Sequence, residues 1–196
     1  PQINGIGSVG QQVIVYAIAN EGMCEIGRAT VDADGQWSLQ SNIALAEGRN
    51  ELIADLMDSD GNLLLVSSVY SITVDTTAPM PVTDFVITDN VGNYQGMLKN
   101  GDVTDDDTPT FSGKGEAGNI IVIYANDQII ASALVNADGN WTFTPATPLP
   151  FGEYHFTVVA IDPAGNQSEP SGSIHLIIDN PGTPSVIQIT QLIDDV

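Results

Sequence analysis

The stretch VDADGQW at residues 31–37 returns as VNADGNW at residues 135–141, which sets Trp37 on Trp141 at an offset of 104. Reading outward at that offset, Leu45 and Gly48 fall on Leu149 and Gly152. Asp58, Gly61 and Asn62 fall on Asp162, Gly165 and Asn166, and Asp75 falls on Asp179. Upstream the offset becomes 108, with PQINGIGSVGQQVIVYA (1–17) lying on PTFSGKGEAGNIIVIYA (109–125). The four-residue change lies between Ala17 and Val31, where a loop or short edge strand absorbs it. The tail PSVIQITQLIDDV (184–196) echoes PVTDFVITDNVG (81–92). A fixed period of this kind makes the chain a string of repeats. Residues 1–75 read as a repeat lacking its first strand, 76–180 as a complete repeat, and 181–196 as the first strand of a third.

Inside each repeat the periodicity is two. Runs such as VIVYAIA, IIVIYAN, WTFTP, YHFTVVAID and SIHLIID alternate apolar with polar residues and are separated by Gly, Asn, Asp and Pro clusters, while no stretch keeps a 3.6-residue period with caps. In the second repeat the pattern predicts strands at 82–88, 109–115, 120–126, 128–135, 140–144, 153–162 and 172–179. Seven short strands in about 100 residues imply an all-β chain of tandem immunoglobulin-like β-sandwich domains. Joined by the short proline-containing linkers DTTAPMP (75–81) and DNPGTP (179–184), they would form an elongated rod. Leu149, Gly152 and Tyr154 have the spacing of a tyrosine corner, whose hydroxyl bonds the backbone at a turn between strands. The first repeat has Asn50 there, so its corner must be held differently.

Composition narrows the function. Four Lys+Arg stand against 25 Asp+Glu, a net charge of −21, with only 15% of residues charged. Such a surface repels phosphate backbones and anionic lipid, which disfavours nucleic acid and electrostatic membrane docking and favours cations. At 42% hydrophobic and a mean hydropathy of +0.08 the chain is too apolar for a disordered acidic tail. No run reaches the roughly 18 apolar residues of a membrane span, and residues 1–10 show no basic segment leading into an apolar one. Cys24 is the single cysteine, so no internal disulfide forms. His155 and His175 belong to no nucleophile or metal motif, and no glycine-rich phosphate loop opens a helix, so the chain does not read as an enzyme. Trp37 and Trp141 recur at one repeat position, as packing residues do.

The combination of a D-T-x-x-P linker, T-D-D-x-T-P (104–109), G-x-W and D-x-A-G-N (162–166) resembles the bacterial Ig-like repeats of very large surface adhesins of the biofilm-associated and type I-secreted kind. The resemblance covers nearly the whole chain, with DSDGN (58–62) replacing DPAGN in the more divergent first repeat. It implies a secreted stalk on the bacterial cell surface, serving adhesion or biofilm formation, with adjacent repeats as partners and host or matrix surfaces reached through other parts of a longer protein. It also implies calcium at domain junctions.

The carboxylates fall into two groups when antiparallel strands are traced end to end. One group contains Asp75, Asp162 and Asn166, with Asp138 as a weaker candidate whose D-G setting is also ordinary turn chemistry. The other lies in the excursion from Asp89 to Thr108, about 20 residues with no predicted strand, holding Asp89, Asn90, Asp102, Asp105, Asp106 and Asp107. Asp179 could join it. Calcium takes six to eight oxygens at about 2.3–2.6 Å, and converging loops can supply them. The first choices in the second group are Asp89, Asp105 and Asp107, with Asn90 as a further metal candidate; alternation turns Asp106 away from its two neighbours. DSDGN is not an EF-hand, since Leu63 stands where Gly is required and Val69 where the bidentate Glu belongs. The alternative reading of the chain is a subunit of a head-to-tail extracellular filament, in which residues 185–196 of one copy complete the first repeat of the next by donor-strand addition.

Overall fold

In the computed structural model, described here for residues 1–19, 22–92 and 95–179, the alternating apolar runs are β-strands, and no helix forms among the described residues. The fold is all-β. The chain divides into two units, Pro1–Thr76 and Thr77–Val196. The segment 181–196, read as the first strand of a third repeat, lies outside the described residues.

The first unit contains β1 (Gln2–Ile6), β2 (Gln12–Ala19), β3 (Gly22–Thr30), β4 (Gln36–Gln40), β5 (Gly48–Met57), β6 (Leu63–Val66) and β7 (Tyr70–Val74). One sheet pairs β1 with β4; the other runs β3-β2-β5, with β6 and β7 both antiparallel to β5. Their inner faces meet in a core of Val13, Val15, Ile26, Val31, Leu39 and Leu52. Leu39 lies between exposed neighbours, as a half-buried strand requires, whereas in β2 Ile14 is buried along with Val13 and Val15.

The second unit adds β8 (Thr83–Asp89), β9 (Gly96–Leu98), β10 (Asp102–Thr104), β11 (Thr110–Lys114), β12 (Ile120–Ala125), β13 (Gln128–Leu134), β14 (Asn140–Phe143), β15 (Gly152–Ile161) and β16 (Ile174–Ile178). One sheet is ordered β14-β11-β8-β9, the other β10-β16-β15-β12-β13. Phe111 and Phe156, both 0% exposed, meet edge to face between the sheets at 5.1 Å. Burying each such ring is worth about 1.5–3 kcal/mol. Phe85 of β8 stacks on Trp141 at 6.1 Å. The indole needs a glycine opposite it, because a Cβ on Gly113 would approach its ring to 3.0 Å and one on Gly5 would run into Trp37. β8 bulges there: its register with β11 shifts between Ser112 and Lys114, and Asp84 takes φ +51°.

All seven predicted strands are present with ends moved by a residue or two, but the excursion after Asp89 is not strandless. Instead β9 folds back on β8, and β10 crosses to the opposite sheet to run parallel to β16, Asp102 opposite Leu176 and Thr104 opposite Ile178. Three-residue strands carry too little periodicity to be read from sequence. Their partners supply the order.

Candidate functional site

The D-x-x-G-N loops close on themselves. Asp162 Oδ1 accepts the N–H groups of Ala164 and Asn166, both at 2.9 Å, and Oδ2 accepts the Asn166 amide at 2.8 Å. The first repeat builds the same loop: Asp58 Oδ1 takes the N–H groups of Asp60 and Asn62 at 2.9 and 2.8 Å, and Oδ2 takes the Asn62 amide at 2.9 Å. Hydrogen bonds to the ionised form hold a carboxyl below its usual range. Asn166 is the main cause at Asp162, and Asn62 at Asp58. At the D-G turns the residue two before Asp is the cap: Asp32 Oδ1 accepts from Asp34 N and Gln36 N, and Asn136 Oδ1 from Asp138 N and Asn140 N. Asp138 thus enters its turn through its backbone.

The aspartate-rich loop is organised around two buried carboxylates. Asp89, at the end of β8, is 3% exposed and accepts Thr104 Oγ1 at 2.5 Å and Val91 N at 2.9 Å. Asp106 is 1% exposed. Its Oδ2 takes Asn90 N at 2.8 Å, its Oδ1 takes Thr108 N at 2.9 Å, and its own N–H reaches Thr104 Oγ1 at 3.1 Å. Asp106 does turn away from Asp105 and Asp107, but inward, where it ties the end of β8 to the start of β11. Thr104, Asp106 and Thr108 share the alternate face; of the two threonines, Thr108 donates to this carboxylate, while the Thr104 hydroxyl accepts the Asp106 N–H and donates to Asp89.

Asp105 and Asp107 are half-buried. The Asp105 carboxylate occupies the space a side chain on Gly92 would need, and Gly92 has φ +67°. Asp107 uses its carbonyl to receive Leu149 N at 2.8 Å, and the Asn90 amide donates to Thr110 Oγ1 at 2.8 Å. Asp179 N donates to Thr104 O at 2.9 Å just beyond β16. An open cleft of about 410 Å³ is lined by Asp89, Asp102, Asp105 and Asp179 together with β9 and β10. Asp102, on β10, also caps its turn by accepting Lys99 N at 2.7 Å.

Of the candidate ligands, Asp89, Asp105 and Asp179 therefore share one cleft, Asp162 pairs with Asn166, Asn90 bonds to Thr110 of β11, and Asp107 bonds to Leu149 in the loop between β14 and β15. Asp75 follows β7 at the end of the first unit. Carboxylate oxygens suit a hard cation. The spacing does not fit as it stands: among the described residues no three His, Cys, Asp or Glu side chains are gathered closely enough to hold a metal ion.

Other sequence features resolve into structure. Tyr154 Oη donates to Pro150 O at 2.6 Å, closing the predicted corner. Asn50 reaches Ala46 O at 2.7 Å, the carbonyl at the matching repeat position, so an amide replaces a phenol. His155 and His175 face each other across β15 and β16 with rings stacked at 4.8 Å. Cys24 is exposed on β3.

Among solved structures, the chain is similar to a tetra-tandem repeat from the extending region of a large adhesion protein, at 24% identity and TM-score 0.36, over 91% of this chain and 45% of that one. It is also similar to fibronectin(III)-like modules of Clostridium thermocellum CbhA, at 17% identity and TM-score 0.52, over 91% of this chain and 86% of those modules. A third is the BSP domain of a biofilm-associated protein, at 19% identity and TM-score 0.34, over 93% of this chain and 28% of that one. The chain thus spans less than half of either adhesion-related structure. No curated protein matches it. The CbhA modules share the sandwich fold, and the family model for the bacterial Ig-like domain matches residues 1–76 and again 81–180, so the chain belongs to the bacterial Ig-like domain family.

Proposed function

We propose that the chain is a structural segment of an extracellular bacterial adhesin, a run of stalk repeats that spaces an adhesive part from the cell surface. The observation that carries this reading is the tandem itself: two bacterial Ig-like domains in one chain of 196 residues, joined by the short linker DTTAPMP. Spacing needs rigid modules and short joints, and each repeat supplies a sandwich core with loops closed by their own side chains. The adhesion target and any host or matrix contact belong to the longer protein in this reading.

The second part of the proposal is calcium. With 25 acidic and four basic residues, the acidic loops attract divalent cations, and calcium held there stiffens the string of repeats. The cleft lined by Asp89, Asp102, Asp105 and Asp179 is the first place to look, and the loop of Asp162 and Asn166 the second. Small-angle scattering of the chain with calcium, then with excess chelator, tests both places. A maximum dimension that shortens and a melting temperature that drops on chelation are expected. A profile and melting curve unmoved by chelator reject calcium and leave the spacer reading, which single-molecule extension of the tandem tests by its unfolding force.

A further inference from the structure

The two histidines of the chain stand directly opposite each other on antiparallel strands, His155 on β15 and His175 on β16. The backbone of each is bonded away from the other. His155 N donates to Asn126 Oδ1 at 2.8 Å and its carbonyl accepts Asn126 N at 3.0 Å. His175 N donates to Asn100 Oδ1 at 2.8 Å and its carbonyl accepts Gly101 N at 2.8 Å. This is the non-hydrogen-bonded pairing of an antiparallel ladder, in which Cα atoms approach to about 4.5 Å and side chains come closest. The imidazoles accordingly stack with centroids 4.8 Å apart, on the face of the sheet opposite the buried Phe156 and Leu176. His155 is exposed and His175 half-buried. Glu153 Oε2 lies 4.0 Å from His175 Nε2, too far for a hydrogen bond.

The first unit fills the matching place with an ion pair. At the offset of 104, Glu153, His155 and His175 fall on Arg49, Glu51 and Ser71. Glu51 and Ser71 are again directly opposite, and Arg49 Nη2 donates to Glu51 Oε1 at 2.8 Å and to Ser71 Oγ at 3.1 Å. There the cation is part of the chain. In the second unit the same three places hold a carboxylate and two imidazoles, groups that bind a cation, with no arginine among them.

We propose that His155 and His175 chelate a divalent transition-metal ion of the zinc, nickel or copper class across β15 and β16, with Glu153 lending negative charge nearby. Imidazole nitrogen suits these ions, whereas calcium prefers oxygen. Zinc bonds nitrogen at about 2.0–2.1 Å in a tetrahedron, which sets two nitrogens on one ion about 3.3 Å apart. Rotation about the Cβ–Cγ bonds brings the edges of two rings stacked at 4.8 Å to that spacing. Among the described residues no third such side chain is gathered close enough to bond with them, so water completes the shell. Strands already held in register by Asn126 and Asn100 leave little to order when the ion binds. Only the folded register brings the two rings together, so the ion pins β16 to β15 and stabilises the folded unit. The inference goes beyond the spacer reading and is independent of calcium in the acidic loops.

The test adds zinc to the full chain at neutral pH in excess calcium and magnesium, so that any site for a hard cation is already filled. Zinc is expected to shift the ring-nitrogen NMR signals of both histidines along one saturable curve and to raise the melting temperature with it. His155→Gln and His175→Gln, on an outer sheet face, should each weaken zinc by more than the ~10–100-fold typical of losing an outer partner, and Glu153→Gln by less than either. The triple variant Glu153→Arg, His155→Glu, His175→Ser carries the first unit's side chains at the matching positions. It should fold and show no zinc-dependent rise in melting temperature. Zinc affinity unchanged in either histidine variant overturns the proposal, as does a titration in which only one imidazole moves. A triple variant stabilised by zinc as much as the wild type overturns it too, and a Glu153→Gln loss as large as either histidine's overturns the two-imidazole chelate. Calcium is saturating throughout, so the outcome is read separately from the chelator test of the stalk.

Discussion

At the scale of single residues, the acidic side chains divide by their donors. Asp162 and Asp58 are half-buried and held below the usual carboxylate range by Asn166 and Asn62. A depressed folded value makes the stabilisation fully present above the unfolded value of about 3.9 and lost as pH falls through the lower folded value. Asn166→Ala should therefore raise the Asp162 titration midpoint, followed by carboxyl NMR. The gap in melting temperature between wild type and variant should be level above pH ~5 and shrink below pH ~4. A gap unchanged down to pH ~2 would show that the asparagine acts by packing alone. Asp106 acts from inside. Asp106→Ala strands the N–H groups of Asn90 and Thr108 and should cost about 2–4 kcal/mol in denaturant unfolding, with Asp106→Asn costing less because one acceptor oxygen remains. Both losses should be the same with and without chelator. The sequence made the charge of this triplet plain, and alternation separated Asp106 from its neighbours. It hid which face was buried, because that depends on β10 crossing to a strand 70 residues away.

Among the elements, the long strands were legible and the short ones were not. β12 and β15 declare themselves through six to ten residues of Val, Ile and aromatics, so their burial follows from their own pattern. β9 and β10 are strands because β8 and β16 offer them edges, which no local window contains. The corners fall between these cases. Tyr154 announced its bond by spacing, while Asn50 performs the same closure with nothing in its neighbourhood to flag it. Tyr154→Phe and Asn50→Ala should each lose about 1 kcal/mol, read as a lower urea midpoint at unchanged slope. The two losses should be independent, since the corners belong to separate cores. The tryptophans should differ: Trp141→Ala opens a cavity in a closed core and should cost about 3–5 kcal/mol, and Trp37→Ala, from a half-open seam, clearly less.

At the scale of the whole molecule, the surplus of negative charge sets how stability answers to ions. With 25 acidic residues against four basic ones, self-repulsion opposes the folded state, and salt relieves it as the Debye length falls from about 10 Å at 0.1 M to about 3 Å at 1 M. The melting temperature should therefore climb with sodium chloride whether or not any ion is bound at a site. Specific binding adds a term that screening lacks: an ion that binds only the folded chain stabilises it by RT ln(1 + [L]/Kd), about 2.7 kcal/mol at a hundredfold excess over Kd. Titrating calcium at constant ionic strength separates the two, because sodium then replaces the screening that calcium supplies. A melting temperature that rises logarithmically with calcium, and much less with magnesium, identifies a site with calcium's preference for many flexible oxygen ligands. Repeating the titration with Asp105→Asn and with Asp162→Asn assigns it, since the slope should vanish in the variant that removes a ligand and persist in the other. Coincident calcium and sodium curves would reduce the acidic loops to screened turns.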